Sequence, residues 1–571
     1  MDSILLSSEQ QLFVEQALNG NNILVNACIG SGKTTAIQYL CNTFPSYKRI
    51  LYLTYNRLLK LDAKSKIKQN NVKVQNYNGI AASYLYRIGV SVGVQDQITS
   101  FNELKPTIDR YDVLIIDEYQ DIKTDHSLLL EHIKSFNPMM QIIAVGDMQQ
   151  KIYDNTTLDA AEFIHNFLGN HLELEFTKCF RLSADLAAKL GRIWCKKIDG
   201  VNKNCVVEEM SLKDTMRFLA TQRTQDILCL GSRSGDLSNV LNLLEEEYPS
   251  KFNKYTVYAS ISDNDSICSS QPNEQTAIFT TFDSSKGLER KICVVFDYTE
   301  SYWKSRISYP QCSYEILRNI FCVAASRGKS RIIFVKKDEE MLSETTLSTR
   351  VDAEQNLKNI DISSMFDFKY KEDIEHCFSL LNVNLIVETN KNDIIVKKTD
   401  GMIDLSPCIG IYQEAMFFDN YEIDKEIELF LLIYDNKSHL WNKTVQELSI
   451  EKKILFLVSL QTNQDRYRTQ VELPFIDEEA KKHISERLAS RFLTNENAQV
   501  LCNIPFSNTE GGPLWFSANG YADVVKNNIV YELKFVSELT HEHFLQCACY
   551  IVALKLEKAF CGTQETTLYM R

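Results

Sequence analysis

Near the amino-terminal end, the stretch "ACIGSGKTT" (residues 27–35) gathers the groups that a nucleotide's phosphates require. Gly30 and Gly32 let the backbone turn tightly so that its N–H groups face an anion, Lys33 can reach the β- and γ-phosphates, and Thr34 offers a hydroxyl to Mg2+. Further on, "IIDEYQD" sets Asp117 beside Glu118. One carboxylate can complete a Mg2+ shell while the other orients an attacking water, the division of labour that in-line phosphoryl transfer needs. The stretch "VGDMQQKIY" adds Asp147 and Gln150. Near the other end, "GYADVVKNNIVYELKF" places Asp523, Glu532 and Lys534 among apolar residues. Two acids that can hold a hard cation, with a lysine to orient or deprotonate a water, have the composition of a metal-dependent hydrolytic site. The same residues also fit an ordinary amphipathic hairpin with a surface ion pair.

These side chains act only if regular elements aim them. "NNILVNACIGSGKTTAIQYL" predicts a buried strand over Ile23 to Asn26, a glycine-bearing turn, and a helix from about Lys33 whose dipole favours an anion. "RYDVLIIDEYQDI" and "QIIAVGDMQQKIYD" are apolar β-forming runs that deliver their acids to one edge of a parallel sheet. In the late stretch, strand alternation puts Glu532 and Lys534 on one face and Tyr531, Leu533 and Phe535 on the other. "KNN" before Ile529 predicts a tight turn that folds Asp523 back toward Glu532.

The chain has 571 residues, too many for one core, and its 44% hydrophobic and 24% charged residues are ordinary for globular proteins. There is no apolar run long enough to cross a membrane and no secretory-type start, so an intracellular location is expected. The 16 cysteines are scattered through apolar stretches, as reduced buried thiols are. A net charge of -13 excludes a surface coated with phosphate-binding groups, so any nucleic acid must lie in a locally basic groove.

Taken in order, the motifs of roughly the first 340 residues resemble superfamily 1 helicases of the UvrD/Rep type. "LSSEQQLFV" resembles the Q motif, which makes Gln10 an adenine reader, and "ACIGSGKTT" resembles motif I, with Gly30, Ser31, Gly32, Lys33, Thr34 and Thr35 about the nucleotide. "LTYNRLLKLDAK" falls at motif Ia, where Arg57 and Lys60 are either strand contacts or a solvated helix face. "IIDEYQD" is similar to motif II and "VGDMQQKIY" to motif III, with Gln150 as coupling residue and Tyr153 near a base-stacking position. "FTKCFRLS" resembles motif IV and points to Arg181; "TTFDSSKGLER" resembles motif V, with Gly287 and Glu289 near nucleotide and DNA; "NIFCVAASRGKSRIIFV" resembles motif VI and makes Arg327 the arginine finger. The resemblance implies an α/β fold with two RecA-like P-loop NTPase domains, residues 1–175 and 176–340, that use ATP and Mg2+ to move along single-stranded DNA, 3′ to 5′. The spacing between motifs leaves the family's accessory insertions missing or vestigial, so translocation is expected more firmly than strand separation.

A polar stretch, residues 341–364, reads as a linker. Beyond it, residues 365–571 resemble a PD-(D/E)XK nuclease domain of the RecB type. That resemblance implies that Asp523 and Glu532, with the Leu533 carbonyl, hold Mg2+, and that Lys534 serves the attacking water. Gln546 and Tyr550 in "QCACY" match the Q-x3-Y signature, and Glu414 stands where a further acidic ligand often lies, or on a solvated helix face. His541 and His543 are expected to be exposed and not to ligate. Cys502, Cys547, Cys549 and Cys561 lack the spacing of an iron–sulfur site, and no cluster is expected. The expected partner is single-stranded DNA or duplex DNA with an end; a nuclease fold kept only for binding, a nucleotide-switched regulator and an RNA substrate remain open.

Overall fold

The computed structural model describes residues 5–570 except 56, 94–95, 154–155, 234, 262–271, 309–312, 352–358, 367–369, 385–395, 434, 442–447, 508–513, 535, 537–538 and 559–567. Phe535 and Cys561, and most of the short insert before "TTFDSSKGLER", lie outside the described residues.

The first sheet is six-stranded and wholly parallel, built from β1 (Ile23–Ala27), β2 (Ile50–Thr54), β3 (Val72–Asn76), β4 (Val113–Asp117), β5 (Gln141–Gly146) and β6 (Leu172–Phe176) in the order β3-β2-β4-β5-β1-β6. Strands β2, β4 and β5 are buried throughout, as expected of apolar runs covered by helices on both faces. One face packs residues such as Phe13, Ile37 and Leu40 from the flanking helices; the other packs Tyr84, Phe101, Leu129 and Phe167. The order turns back between β1 and its neighbours, and the carboxyl ends of β1, β4 and β5 open there into one crevice.

A short ladder, β7 (Lys178–Cys179) with β8 (Asp199–Gly200), leads to a second six-stranded parallel sheet. Its strands are β9 (Val206–Ser211), β10 (Ile227–Gly231), β11 (Val257–Ser260), β12 (Ala277–Thr281), β13 (Arg290–Val295) and β14 (Gly328–Lys336), ordered β11-β12-β10-β13-β14-β9. One apolar cluster spans the division between the two sheets, joining Cys28 and Ile29 of the glycine-bearing turn to Trp194, Phe282 and Phe321. Among the described residues, helices Tyr77–Arg87 and Gln97–Leu104 are all that separates β3 from β4, so no large insert interrupts the first sheet.

The third region is mixed. β15 (Asn359–Asp361) runs parallel to β19, after which a short hairpin of β16 (Thr399–Asp400) and β17 (Ile403–Asp404) leads into helix Ser406–Phe417 and a helical layer. Long antiparallel strands β18 (Asn497–Ser507) and β19 (Leu514–Lys526) then pair, β20 (Ile529–Glu532) pairs antiparallel to β19, helix His541–Lys558 follows, and β21 (Leu568–Met570) lies parallel to β20. Asn527 and Asn528 turn the β19–β20 hairpin with φ of 51° and 62°, which asparagine tolerates better than most residues, as "KNN" predicts.

The stretch read as a linker is only partly one. Ser343 N–H donates to Glu300 Oε1 at 3.0 Å, Leu347 is buried in the second region's core, and β15 supplies an edge strand to the third region's sheet. A three-residue strand and the scattered buried residues Leu342, Leu347 and Ile362 give no hydrophobic period, so composition alone conceals them.

The third region is clamped to both sheets of the amino-terminal part. Arg466, 1% exposed, donates to the Val257 carbonyl at 3.0 Å and pairs with Glu245 at 3.2 Å. Lys254 pairs with Asp400 at 3.1 Å and Glu472 at 2.7 Å. Gly401, with φ of 62°, lies so near Lys254 that a Cβ would sit 2.4 Å from its carbonyl oxygen. Against the first sheet's region the contact is more open: Lys371 pairs with Asp125, and Glu372 accepts from the Thr156 hydroxyl at 2.8 Å.

Candidate active sites

The P-loop is built as the sequence requires. β1 ends at Ala27, Gly30 and Gly32 take φ of 65° and 75°, and the helix opens at Lys33. At Gly30 a Cβ would come within 2.7 Å of Arg181 Cβ, so glycine is needed for close approach as well as for the turn. Lys33 is buried, with Nζ 3.5 Å from Glu118 Oε2. Burial opposes its charge, but Glu118, Asp147 and Asp117 hold its ammonium above the usual lysine range. Ser31 Oγ is buried without a hydrogen-bond partner among the described residues. Gln10 is buried, accepting from Ser7 N–H at 3.0 Å and donating to the Ser31 carbonyl at 3.0 Å, so it braces the P-loop directly.

Asp117, the last residue of β4, accepts a hydrogen bond from Tyr52 Oη at 2.9 Å, and its Oδ1 is buried without a partner among the described residues. Burial and then the neighbouring Glu118 push its pKa up to about 7, while Lys33 and Lys286 hold Glu118 below the carboxylate range against its own burial. A divalent cation that Thr34 and Asp117 shared would relieve this, so the donors fit Mg2+. Glu118 has φ of 55°, strained for a side-chain-bearing residue, and Gln120 Nε2 donates to its Oε2 at 2.5 Å. Gln150 Nε2 donates to Asp147 Oδ2 at 2.8 Å, and its main-chain carbonyl accepts from Lys286 Nζ at 2.9 Å.

The second sheet's region faces this crevice with cations. Arg181 pairs with Glu289, which also binds Lys329 at 2.6 Å. Arg327 is buried and donates through Nε to the Val323 carbonyl at 3.1 Å. Arg181 Nη1 and Arg327 Nη2 are buried with no hydrogen-bond partner among the described residues. Burial, and then Arg181 beside it, lower the Arg327 pKa to about 9, although a guanidinium in practice stays charged. Such a pair of half-satisfied guanidiniums demands an anion. Gly287, φ 78°, turns the backbone between Lys286 and Glu289. Tyr153 is half-buried and its Oη donates to the Asp283 carbonyl at 3.3 Å. Lys60 lies against Gln75 Oε1 at 3.2 Å and Asn76 Oδ1 at 3.4 Å.

Several residues central to the crevice were not singled out by sequence. Lys286 contacts both oxygens of Asp121 at 2.6 Å, a buried bridge between the two sheets' regions. Both partners lie inside quoted motifs, so the signal was present. Lys196 donates to Asp147 Oδ1 at 2.9 Å and to Asn26 Oδ1 at 2.7 Å; it follows helix Ala184–Trp194 with no motif around it.

In the third region the structure brings together the acids read from the hairpin. Glu532 Oε1 pairs with Lys534 Nζ at 2.6 Å, Asp523 accepts from the Leu533 N–H, and Glu414 accepts from Gln499. Glu532 Oε2 is buried without a partner among the described residues. Burial, then Glu414 and Glu532, push Asp523 well above the carboxylate range; burial with Glu426 and Glu532 takes Glu414 to about 7. Burial also raises Glu532 against the pull of Lys534. Three buried carboxyls against one lysine fit a hard cation through oxygen donors. Glu414 is thus buried toward the acids, which settles its face: the helix Ser406–Phe417 turns it inward. Gln546 Nε2 donates to Tyr550 Oη at 2.8 Å, and the Tyr550 ring packs on Gly520, where a Cβ would come within 2.8 Å.

The histidines differ from expectation. His541 stacks on Phe378 at 3.9 Å, and His543 Nδ1 accepts from Thr540 N–H at 3.0 Å, so both are half-buried, because the helix start docks against Phe378 rather than facing solvent. Cys502 and Cys547 are buried in the apolar cluster beneath the sheet, and Cys549 packs at its edge.

Residues 10–156 match the AAA domain family, a span that holds the P-loop, Asp117, Glu118 and Gln150. No curated protein matches the chain. Among solved structures, the DUF1998 helicase MrfA bound to DNA aligns at 12% identity over 61% of this chain and 52% of that one, with a TM-score of 0.34. The Pif1 of Bacteroides sp in complex with ADP-AlF4 aligns at 12% identity over 60% and 94%, with a TM-score of 0.32. The Arterivirus nonstructural protein 10 (helicase) with DNA aligns at 11% identity over 57% and 63%, with a TM-score of 0.30. The chain thus spans about half the length of MrfA. Likeness this distant leaves the activity to be argued from the residues. No described helix is long and apolar enough to cross a membrane.

Proposed function

We propose that the chain is an ATP-driven translocase of superfamily 1 type that moves along single-stranded DNA, 3′ to 5′, joined to a Mg2+-dependent deoxyribonuclease. The domains of this reading are residues 1–175 and 176–340 for the motor, a short connection through 364, and residues 365–571 for the nuclease. The single observation that carries the motor is the pair of buried, half-satisfied guanidiniums of Arg181 and Arg327 beside a P-loop whose Lys33 touches Glu118.

In this mechanism the P-loop amides and Lys33 bind the triphosphate. Arg181 and Arg327 turn their free nitrogens to the charge that develops on the γ-phosphoryl group, the preorganised stabilisation that lowers such barriers most. Glu118, released from Lys33 by the incoming phosphate, accepts a proton from the attacking water. Thr34 and Asp117 would hold Mg2+, which would supply charge neutralisation for the triphosphate when bound. The bridge from Lys286 to Asp121 and to the Gln150 carbonyl links phosphate state to the approach of the two sheets. Cyclic closure then moves a strand held across both, and stacking on residues such as Tyr153 would be indifferent to sequence.

In the nuclease, Asp523 and Glu532, with the Leu533 carbonyl and Glu414, would hold Mg2+, which supplies electrostatic stabilisation of the scissile phosphate when bound. Lys534, held by Glu532, orients the attacking water. Gln546 and Tyr550 brace the floor of this site against Gly520. The test is cleavage of end-labelled single- and double-stranded DNA with Mg2+, with and without ATP, alongside translocation on labelled single strands. Wild type is expected to cut and Lys534→Ala to lose cutting with its ATPase intact. Absence of cutting by wild type in every condition would leave a motor alone, and ATPase without movement would leave a nucleotide-switched regulator.

A further inference from the structure

Outside both sites, the turn from helix Ala160–Leu168 into β6 gathers His165, His171 and Glu173 with their ligand atoms all within 4.8 Å of one another. Glu173 Oε1 lies 3.5 Å from His165 Nε2 and 3.7 Å from His171 Nε2. Those separations exceed a hydrogen bond. They approach the edge of a tetrahedron with metal–nitrogen and metal–oxygen bonds of zinc length, which is about 3.3 Å; an octahedral site would draw the atoms to about 3.0 Å. His171 Nδ1 donates to the Gly169 carbonyl at 2.6 Å. A carbonyl can only accept, so this bond fixes the tautomer and leaves the Nε2 lone pair facing Glu173, the outer-shell arrangement that metal-binding histidines use.

His171 is anchored, its side chain 4% exposed, whereas His165 and Glu173 are open to solvent at 58% and 69%. Glu173 stands opposite Leu24, at the start of β1, so the cluster lies at the edge away from the P-loop that follows the end of that strand. The proposed motor and nuclease use none of these residues.

We propose that His165, His171 and Glu173 form a site for a borderline divalent cation of the Zn2+ class, with a fourth position open to water, that pins this turn to the edge strand. Two imidazoles and one carboxylate select such an ion over Mg2+ or Ca2+, which favour all-oxygen shells.

The test uses the full chain stripped with EDTA and dialysed against Zn2+ in excess Mg2+, which occupies the oxygen-only sites. Bound zinc is counted in wild type, His165→Ala and Glu173→Gln; ATPase rates report that the variants fold. Both variants are expected to hold one zinc fewer at a free concentration that fills the wild type, with affinity at least tenfold weaker, since loss of a mere outer-shell partner already costs about 10–100-fold. Loading with Co2+ should give wild type a four-coordinate visible absorption that His165→Ala lacks. Because cysteines bind the same ions, the difference between proteins is the readout, and equal zinc counts with equal cobalt spectra in wild type and both variants would overturn the proposal.

Discussion

The crevice between the parallel sheets and the acid cluster of the third region are both buried, yet the charges they leave uncompensated differ: both signs in the crevice, negative alone in the cluster. In the crevice, Lys33 has Glu118 and Lys286 has Asp121, while Arg181 and Arg327 retain buried nitrogens, and Asp117 one buried oxygen, with no partner among the described residues. In the cluster, Glu414, Asp523 and Glu532 converge on one lysine, and it is a carboxylate oxygen that lacks a partner. Burial raises the cost of either imbalance, because an unpaired charge in a low-dielectric setting finds no water to solvate it. In the proposed reading the first imbalance suits a polyphosphate with its cation, and the second suits a cation alone. The two regions are thus distinguished by whether unpartnered cations stand beside the acids.

The contrast is broken most severely by Lys33→Ala. It removes a P-loop cation and frees Glu118, and ATP turnover should fall by about 10²–10³-fold or more, as loss of one preorganised stabilising group does. Steady-state ATPase measures it, and cutting that proceeds without ATP should persist; wild-type turnover in the variant would refute the assignment of the motor.

Arg466→Ala should come next in stability. Removing one partner of a buried pair leaves the other charge uncompensated at a cost of about 3–5 kcal/mol, here Glu245 beneath the second sheet's region. Urea unfolding followed by limited proteolysis at the clamp should show the third region released first.

Asp523→Asn sharpens the cation half without relying on cutting. Mg2+ that binds the folded cluster stabilises it by about 2.7 kcal/mol at a concentration one hundred times its dissociation constant. A Mg2+-dependent rise in the melting midpoint should be present in wild type and lost in the variant. An unchanged rise in Asp523→Asn would place the cation elsewhere.

The smallest effect is expected at the other clamp. The Lys371 side chain, paired with Asp125 and Glu375, is 39% exposed, and pairs open to solvent contribute about 0–1 kcal/mol. Lys371→Ala should therefore barely move unfolding, and a large loss would show the contact to the first sheet's region to be as firm as the one made by Arg466.

Sequence was most legible where a local pattern and its chemistry coincide. The strand at Ile23, the helix opening at Lys33 and the acids at the end of β4 follow from apolar runs and glycines that can do little else. The β19–β20 hairpin follows from adjacent asparagines. Legibility failed where the information is spread along the chain. The edge strand Asn359–Asp361 is polar and owes its place to backbone pairing with β19, and the half-burial of His541 depends on Phe378 from a distant helix. Glu414 could be placed on neither face from its own neighbours, because a helix's inward side is chosen by what packs on it.

What the sequence by itself determined is the set of reactive groups and the elements that aim them, since hydrophobic period, glycine and turn chemistry act over a few residues. What only the tertiary structure decided is which charges meet: Lys286 on Asp121, Lys196 on Asp147, Arg466 on Glu245, and two histidines on Glu173 across a turn. Pairing energies depend on distance and desolvation, and both are fixed only once distant segments have been packed together.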